Sequence, residues 1–302
     1  MLAELRNLPA PAKLNLFLHV TGRRADGYHL LETVFQFIDL ADRVDLILRQ
    51  DGRIGRLGAP AGVPEDVDLT LRAARALQAA TGGRLGVEIG LRKSIPIGAG
   101  LGGGSSDAAT VLLGLNRLWG LGLDRSRLIE IARPLGADVP VFVYGRNAYA
   151  TGIGDRFRPV RLPPRWYVLL MPPVSVPTSG VFGDPKLTRR TKPITISGFS
   201  RAGKEAPVGS LAGRNDLQPV VVARQPAVKA AVDALTRAAR RKEVRLAAGD
   251  VTVRMTGSGA CVFAALGSAE SADVLAGLVQ NVGTVHRVAG LAEHPLGSRQ
   301  VG

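Results

Sequence analysis

Apolar and polar side chains alternate from Lys13 to Val20, with Leu14, Leu16, Leu18 and Val20 on one side, which predicts a half-buried strand. The Asp26-Gly27 pair then supplies the positive φ of a tight reversal. Residues 30–37 and 43–48 read as two further strands, 69–80 as a helix and 84–91 as a strand. A glycine-rich run follows, and after it Val111, Leu112, Leu115, Leu118 and Trp119 fall at helical spacing over 108–119. Ser105, Ser106 or Asp107 is placed to cap that helix, and Asp124 opens another over 124–132. The loop Leu162-Pro163-Pro164-Arg165 marks a boundary, giving an N-terminal domain over 1–163 and a C-terminal domain over 164–302. The second half offers a strand at 167–171, a polar, basic, Gly/Pro-rich excursion over 183–214 and an amphipathic helix over 226–240. It closes with strands at 251–256 and 261–266 around a Gly257-Ser258-Gly259 turn. Strands in pairs and helices in pairs indicate an α+β fold rather than a doubly wound sheet.

Composition narrows the function classes. The chain of 302 residues is 46% hydrophobic, with no apolar run long enough to span a bilayer and no basic-then-apolar leader at its start, so no membrane partner is expected. The lone cysteine, Cys261, excludes an internal disulfide and fits a reducing cytoplasm. A net charge of +14 suits either nucleic acid or anionic small molecules. The cations are scattered and only 5% of residues are aromatic, without basic–aromatic interleaving, which favours small anions over nucleic acid. The sequence does not fix an oligomeric state.

The run Pro96-Ile97-Gly98-Ala99-Gly100-Leu101-Gly102-Gly103-Gly104-Ser105-Ser106-Asp107 is the strongest chemical signal. Backbone N–H groups free of Cβ atoms, next to a helix N-terminus, form a phosphate cradle. A P-loop needs a lysine after its last glycine, and none is there. The literal Gly98-x-Gly100-x-x-Gly103 matches a dinucleotide fingerprint, but Asp124, at the distance of the ribose acid, opens a helix instead of ending a strand. The third reading is an ATP-phosphate loop that works without a P-loop lysine.

That run resembles the ATP-binding motif of the GHMP kinases, the superfamily of galactokinase, homoserine kinase, mevalonate kinase and phosphomevalonate kinase. Pro11-Ala12-Lys13-Leu14-Asn15-Leu16 is similar to its N-terminal motif, and Met255-Thr256-Gly257-Ser258-Gly259-Ala260-Cys261 to its C-terminal glycine motif. Gly27-Tyr28-His29-Leu30-Leu31-Glu32-Thr33-Val34-Phe35 and Gly136-Ala137-Asp138-Val139-Pro140 further resemble the branch that phosphorylates a cytidine-diphosphate-linked methylerythritol. The likeness runs in order from about Pro11 to about Ala264. It implies a two-domain fold, ribosomal-protein-S5-like α/β then ferredoxin-like, with the site between the domains.

The resemblance also implies roles. Lys13 and Asp138 become the catalytic pair, Asp138 accepting the proton of the acceptor hydroxyl beside the Lys13 ammonium. Pro96, Gly98, Gly100, Leu101, Gly102, Gly103, Gly104, Ser105 and Ser106 would hold ATP, the co-substrate, with Asp68 and Lys93 on its nucleoside side. Asp68 stands where the superfamily has an asparagine in Asp-Asn-Leu, so an amide donor is missing there. Tyr28, His29 and Phe182 would take the cytosine, with Phe35 nearby, and Asn15 and Thr178 the sugar or diphosphate. Gly257, Ser258 and Gly259 would close over the ligands. Mg²⁺ is expected with the phosphates, and no carboxylate cluster identifies protein ligands for it.

Each residue also has an ordinary explanation: Asp138 as a turn or cap residue, Lys13 as a solvated strand lysine, Tyr28 as a turn aromatic. Two other functions share these features. A homoserine- or mevalonate-type kinase would not need Tyr28 and His29. A basic RNA-binding protein with an S5-like fold would not need Lys13, Asp138 and the glycine loop together.

Overall fold

The computed structural model describes residues 2–58, 64–194, 213–247 and 253–297. The chain opens with two long antiparallel strands, β1 (Glu4–Arg23) and β2 (His29–Arg49), joined by the Asp26-Gly27 turn. The segments 30–37 and 43–48, expected as separate strands, are two stretches of β2. Register shifts between Leu5 and Leu8, Pro11 and Lys13, Asn15 and Leu18, and Val20 and Gly22 let the ribbon bend without breaking. Next come β3 (Ile54–Leu57), α1 (Leu69–Thr81) and β4 (Gly86–Arg92), with β3 parallel to β4.

α2 spans Gly103–Leu118, five residues earlier than its apolar periodicity starts. Its N-cap is Gly102 at φ 74°, with no side-chain cap, so neither serine nor Asp107 caps it as the sequence suggested. The left-handed glycine turns the chain, and the glycines behind it take up helical geometry at once. α3 (Arg125–Ala132) is capped by Asp124, and α4 (Val139–Tyr144) follows, a buried helix too short and too apolar to show a period. β5 (Ala148–Thr151) and β6 (Arg156–Pro159) complete a six-stranded sheet, in the order β3-β4-β2-β5-β6 with β1 on β2. One large core packs α1, α2 and α4 on this sheet through Leu71, Leu77, Leu112, Leu115 and Phe142.

β7 (Trp166–Met171) begins the second sheet. It is followed by α5 (Thr178–Phe182), α6 (Gln218–Arg224), α7 (Pro226–Ala239), β8 (Arg254–Met255), β9 (Val262–Leu266), α8 (Ala269–Val279) and β10 (Thr284–Ala289). The order β10-β7-β9-β8, every pair antiparallel, with α7 and α8 as the crossovers, is that of a ferredoxin-like unit. Most of the expected excursion, 195–212, and the first two residues of the expected 251–256 strand lie outside the described residues. Among the described residues no helix is long and apolar enough to cross a membrane.

Candidate active site

A cleft of about 540 Å³ runs between the two sheets. Its floor is the glycine loop, whose shape depends on left-handed backbone. Gly100 has φ 74°, and a Cβ on it would lie 2.4 Å from Thr256 O and 2.9 Å from Gly259 O. The loop is thus seated directly on the C-terminal glycine turn, with Cys261 N donating to Ala99 O at 3.2 Å. A Cβ on Gly102 would come within 3.1 Å of both Lys13 Cε and the Phe142 ring.

The first N–H groups of α2 have no partners within the helix and point out of its N-terminus. The series ends at Ser106, whose N–H already donates to Gly102 O at 2.9 Å. The Ser106 hydroxyl is fully buried without a hydrogen-bond partner and does not line the cleft, whereas Ser105 does. The N–H groups left without a partner in the helix are therefore those of Gly102 to Ser105.

Lys13 rises from the middle of β1, where its own N–H donates to Leu101 O at 3.0 Å. Its side chain is only 3% exposed, yet its ammonium is well matched. Nζ donates to Asn15 Oδ1 at 2.6 Å and Gly100 O at 3.0 Å, and lies 3.3 Å from Asp138 Oδ2. It also stands 5.8 Å from the centre of the Phe35 ring. Asp138 occupies the N-cap of α4, as the ordinary explanation has it, but its side chain makes no capping bond and faces Lys13 instead. Asn15 lines the cleft with both amide ends engaged, Oδ1 on Lys13 and Nδ2 on Thr33 Oγ1 at 2.9 Å. The geometry makes Asn15 a holder of Lys13 first.

The end of the cleft next to α1 is lined by Val67, Leu69, Leu91, Ile95, Pro96, Ile97 and Gly98. Asp68 is used in folding: its carboxylate accepts from Thr70 N at 2.9 Å and Thr70 Oγ1 at 2.6 Å, capping α1, and pairs with Arg56 at 3.1 Å. Lys93 Nζ lies between two buried carboxylates, 2.5 Å from Asp42 Oδ2 and 2.7 Å from Asp107 Oδ2. Burial, opposed by the Lys93 charge, pushes the Asp107 carboxyl up to about 7. Burial also pushes up the Cys261 thiol, against the nearby Lys13 charge, which keeps it an unreactive hydrophobe.

At the opposite end Thr178 and Phe182 line the cleft from α5, and Thr178 Oγ1 shares a 2.7 Å hydrogen bond with Ser258 Oγ. The Gly257-Ser258-Gly259 turn is thereby tied to α5. Tyr28 and His29 are not brought into the cleft wall. Tyr28 stands 62% exposed at the tip of the β1–β2 turn, and His29 packs behind Phe182, ring centres 5.1 Å apart. Sequence reasoning overlooked Asn215, which donates from Nδ2 to Met255 O at 2.7 Å and Gly257 O at 2.8 Å and so fixes the turn. It also overlooked Asp216, which accepts from Val20 N and Thr191 Oγ1. The signal available was an Asn-Asp pair closing a polar stretch, at a point where the chain re-enters the core.

A buried ammonium facing a carboxylate over a glycine-rich helix N-terminus, between an S5-like and a ferredoxin-like unit, defines the GHMP kinase class. Residues 68–146 match the GHMP kinases N-terminal domain. The fold of a homoserine kinase from Cytophaga hutchinsonii superposes with a TM-score of 0.67 over 97% of this chain and 96% of that one, at 16% identity. A relative from Bordetella parapertussis, a 4-diphosphocytidyl-2-C-methyl-D-erythritol kinase, is 55% identical over 86% of this chain and 82% of its own. One from Thiobacillus denitrificans, of the same name, is 53% identical over 95% and 96%. A crystal structure of a 4-(cytidine 5'-diphospho)-2C-methyl-D-erythritol kinase is 35% identical with a TM-score of 0.74, covering 95% of this chain and 98% of that one. The chain belongs to the 4-diphosphocytidyl-2-C-methyl-D-erythritol kinase family.

Proposed function

We propose that the chain transfers the γ-phosphoryl group of ATP to the 2-hydroxyl of 4-diphosphocytidyl-2-C-methyl-D-erythritol, in the methylerythritol route to isoprenoid precursors. The observation that carries the reading is the Lys13–Asp138 pair, 3.3 Å apart, with Lys13 also bonded to the glycine loop through Gly100 O. Phosphoryl transfer needs little covalent help from the protein; it needs alignment, charge neutralisation and a proton acceptor.

The nucleotide phosphates lie on the N–H groups of Gly102 to Ser105, at the positive end of α2. The adenosine occupies the apolar end by Val67 and Ile97, with Lys93 at its edge. The acceptor enters from the α5 side, its hydroxyl meeting Asp138 Oδ2. As the oxygen attacks, Asp138 takes its proton, and the Lys13 ammonium offsets the charge gathering on the transferred group. Thr178 and Ser258 hold the diphosphate, Phe35 the methylerythritol, and Phe182, His29 and Tyr28 the cytosine, with Tyr28 swinging in from solvent. Gly257 to Gly259 cover the reacting atoms and exclude water.

Bound with the nucleotide, Mg²⁺ supplies further charge neutralisation. Among the described residues no group of three or more His, Cys, Asp or Glu is gathered that could hold it. The test is incubation with Mg-ATP and a panel of the cytidyl alcohol, homoserine and mevalonate. Phosphate should appear on the first alone; product from either of the others without the first would overturn the substrate.

A further inference from the structure

Behind the cleft, Arg189 uses all three guanidinium nitrogens. Its Nε donates to His29 Nε2 at 3.2 Å and its Nη1 to Leu187 O at 3.2 Å. Its Nη2 donates to Phe182 O at 3.0 Å and Asp184 O at 2.7 Å. One side chain from the chain segment after α5 therefore fastens both the last residue of α5 and the imidazole packed against it. The two rings lie at 36° to each other, and Phe182 is the one that reaches the cleft wall.

This arrangement dictates a proton position. A guanidinium can only donate and does not lose its proton in proteins, so His29 Nε2 must be the accepting, unprotonated nitrogen. The neutral ring then carries its hydrogen on Nδ1. Burial foremost, then the Arg189 and Arg23 charges, lower the pKa of His29, in keeping with a neutral ring.

We propose that Arg189 is a positioning residue of the base slot, holding His29 as the Nδ1–H tautomer and fixing the Phe182 face beside it. The inference rests on the cytidyl substrate proposed above. A single fixed N–H donor suits the acceptor edge of cytosine, whose N3 and O2 both accept. Uracil also has two acceptors, O2 and O4, but carries a hydrogen on N3, so a donor aimed at that atom meets an N–H in place of a lone pair. In the sequence Arg189 is one cation of a basic stretch, and nothing there separates it from a solvated neighbour.

The test compares full-length wild type with Arg189→Met and Arg189→Lys. Long-range ¹⁵N–¹H spectra read the ring nitrogens of the four histidines, with His29→Gln assigning the signal. The wild type should show His29 protonated at Nδ1, and Arg189→Met should move it toward the Nε2–H form. In the same variant, KM for the cytidyl substrate should rise about tenfold, the scale of one lost hydrogen bond, with kcat within about twofold. KM for ATP should not change, the preference for CDP over UDP in calorimetric binding should narrow, and Arg189→Lys should fall between. An Nε2–H ring in the wild type would overturn the assignment, as would variants with unaltered KM and unaltered CDP/UDP ratio. Should Arg189→Met fail to fold, Arg189→Lys carries the same comparison. Absence of wild-type turnover with the cytidyl alcohol would instead strike the substrate reading, and the ring spectra would still judge the tautomer.

Discussion

Asp138→Asn separates chemistry from architecture, because the two roles of this carboxylate differ in size. Structurally, Asn keeps the shape and still offers an oxygen to Lys13, which retains Asn15 Oδ1 and Gly100 O as partners. The lost ion pair involves a side chain 33% exposed to solvent, so screening limits its worth to about 1 kcal/mol or less. Chemically, an amide cannot take the hydroxyl proton. Loss of a positioned base costs about 10²–10⁴ in rate, equivalent to about 2.7–5.4 kcal/mol of barrier. Chemistry dominates by several kcal/mol. A coupled assay of ADP release should therefore show kcat down by at least about 10², with ATP binding and the thermal midpoint close to wild type. Turnover within about tenfold of wild type would remove Asp138 as the proton acceptor.

Three further outcomes follow from distances and burial already given. Gly100→Ala places a methyl group 2.4 Å from Thr256 O at φ 74°, so it should lose ATP binding and several degrees of thermal midpoint; a variant that binds ATP normally would refute the seating of the loop. Asp107 holds its proton up to about pH 7 when folded, whereas the unfolded chain releases it near about pH 4, so the unfolded state gains stability over that window. Wild-type stability relative to Asp107→Asn should thus decline from about pH 4 to about pH 7 and level off above, and parallel urea-titration curves would refute it. Tyr28 is 62% exposed, so Tyr28→Ala should leave stability unchanged while raising KM for the cytidyl substrate; an unchanged KM would take Tyr28 out of the base slot.

Elements with a clear period were legible in the sequence. α1, α3 and α7 each fall within two residues of their expected limits because each presents an apolar face to a core, and β7, buried on both faces, does so as a short continuous apolar run. The fusion of 30–37 and 43–48 into β2 was not legible, since the irregularity lies within β2 itself, where Pro11 pairs with Ala41 and Lys13 with Phe37, and pairing on β1 carries the chain past Leu40. α4 is apolar all round and offered no period, and α8 and β10 lay in the tail with the weakest likeness to known sequences. The site showed the same division. The glycine run announces itself by residue type and Lys13 and Asp138 stand out only through the family resemblance, whereas Asn215, Asp216 and Arg189 act through backbone carbonyls and amides that only the tertiary path brings near. Asp68 illustrates how a residue in a binding motif can also serve the fold, capping α1 through Thr70 while it lines the cleft.

The length of β1 bears on how the molecule comes apart. The strand that carries Lys13 also places Leu18 and Val20 in the core of the second sheet. There Leu18 N donates to Arg214 O at 3.0 Å, Leu18 O accepts from Asp216 N at 2.8 Å, and Arg254 Nη1 donates to Leu16 O at 2.6 Å. Two sheets sharing one strand's residues cannot melt in separate steps. A single calorimetric transition is the expected outcome, and residues 164–302 expressed alone would expose the socket that β1 fills. Lys13 thus sits on the strand that ties the two sheets together.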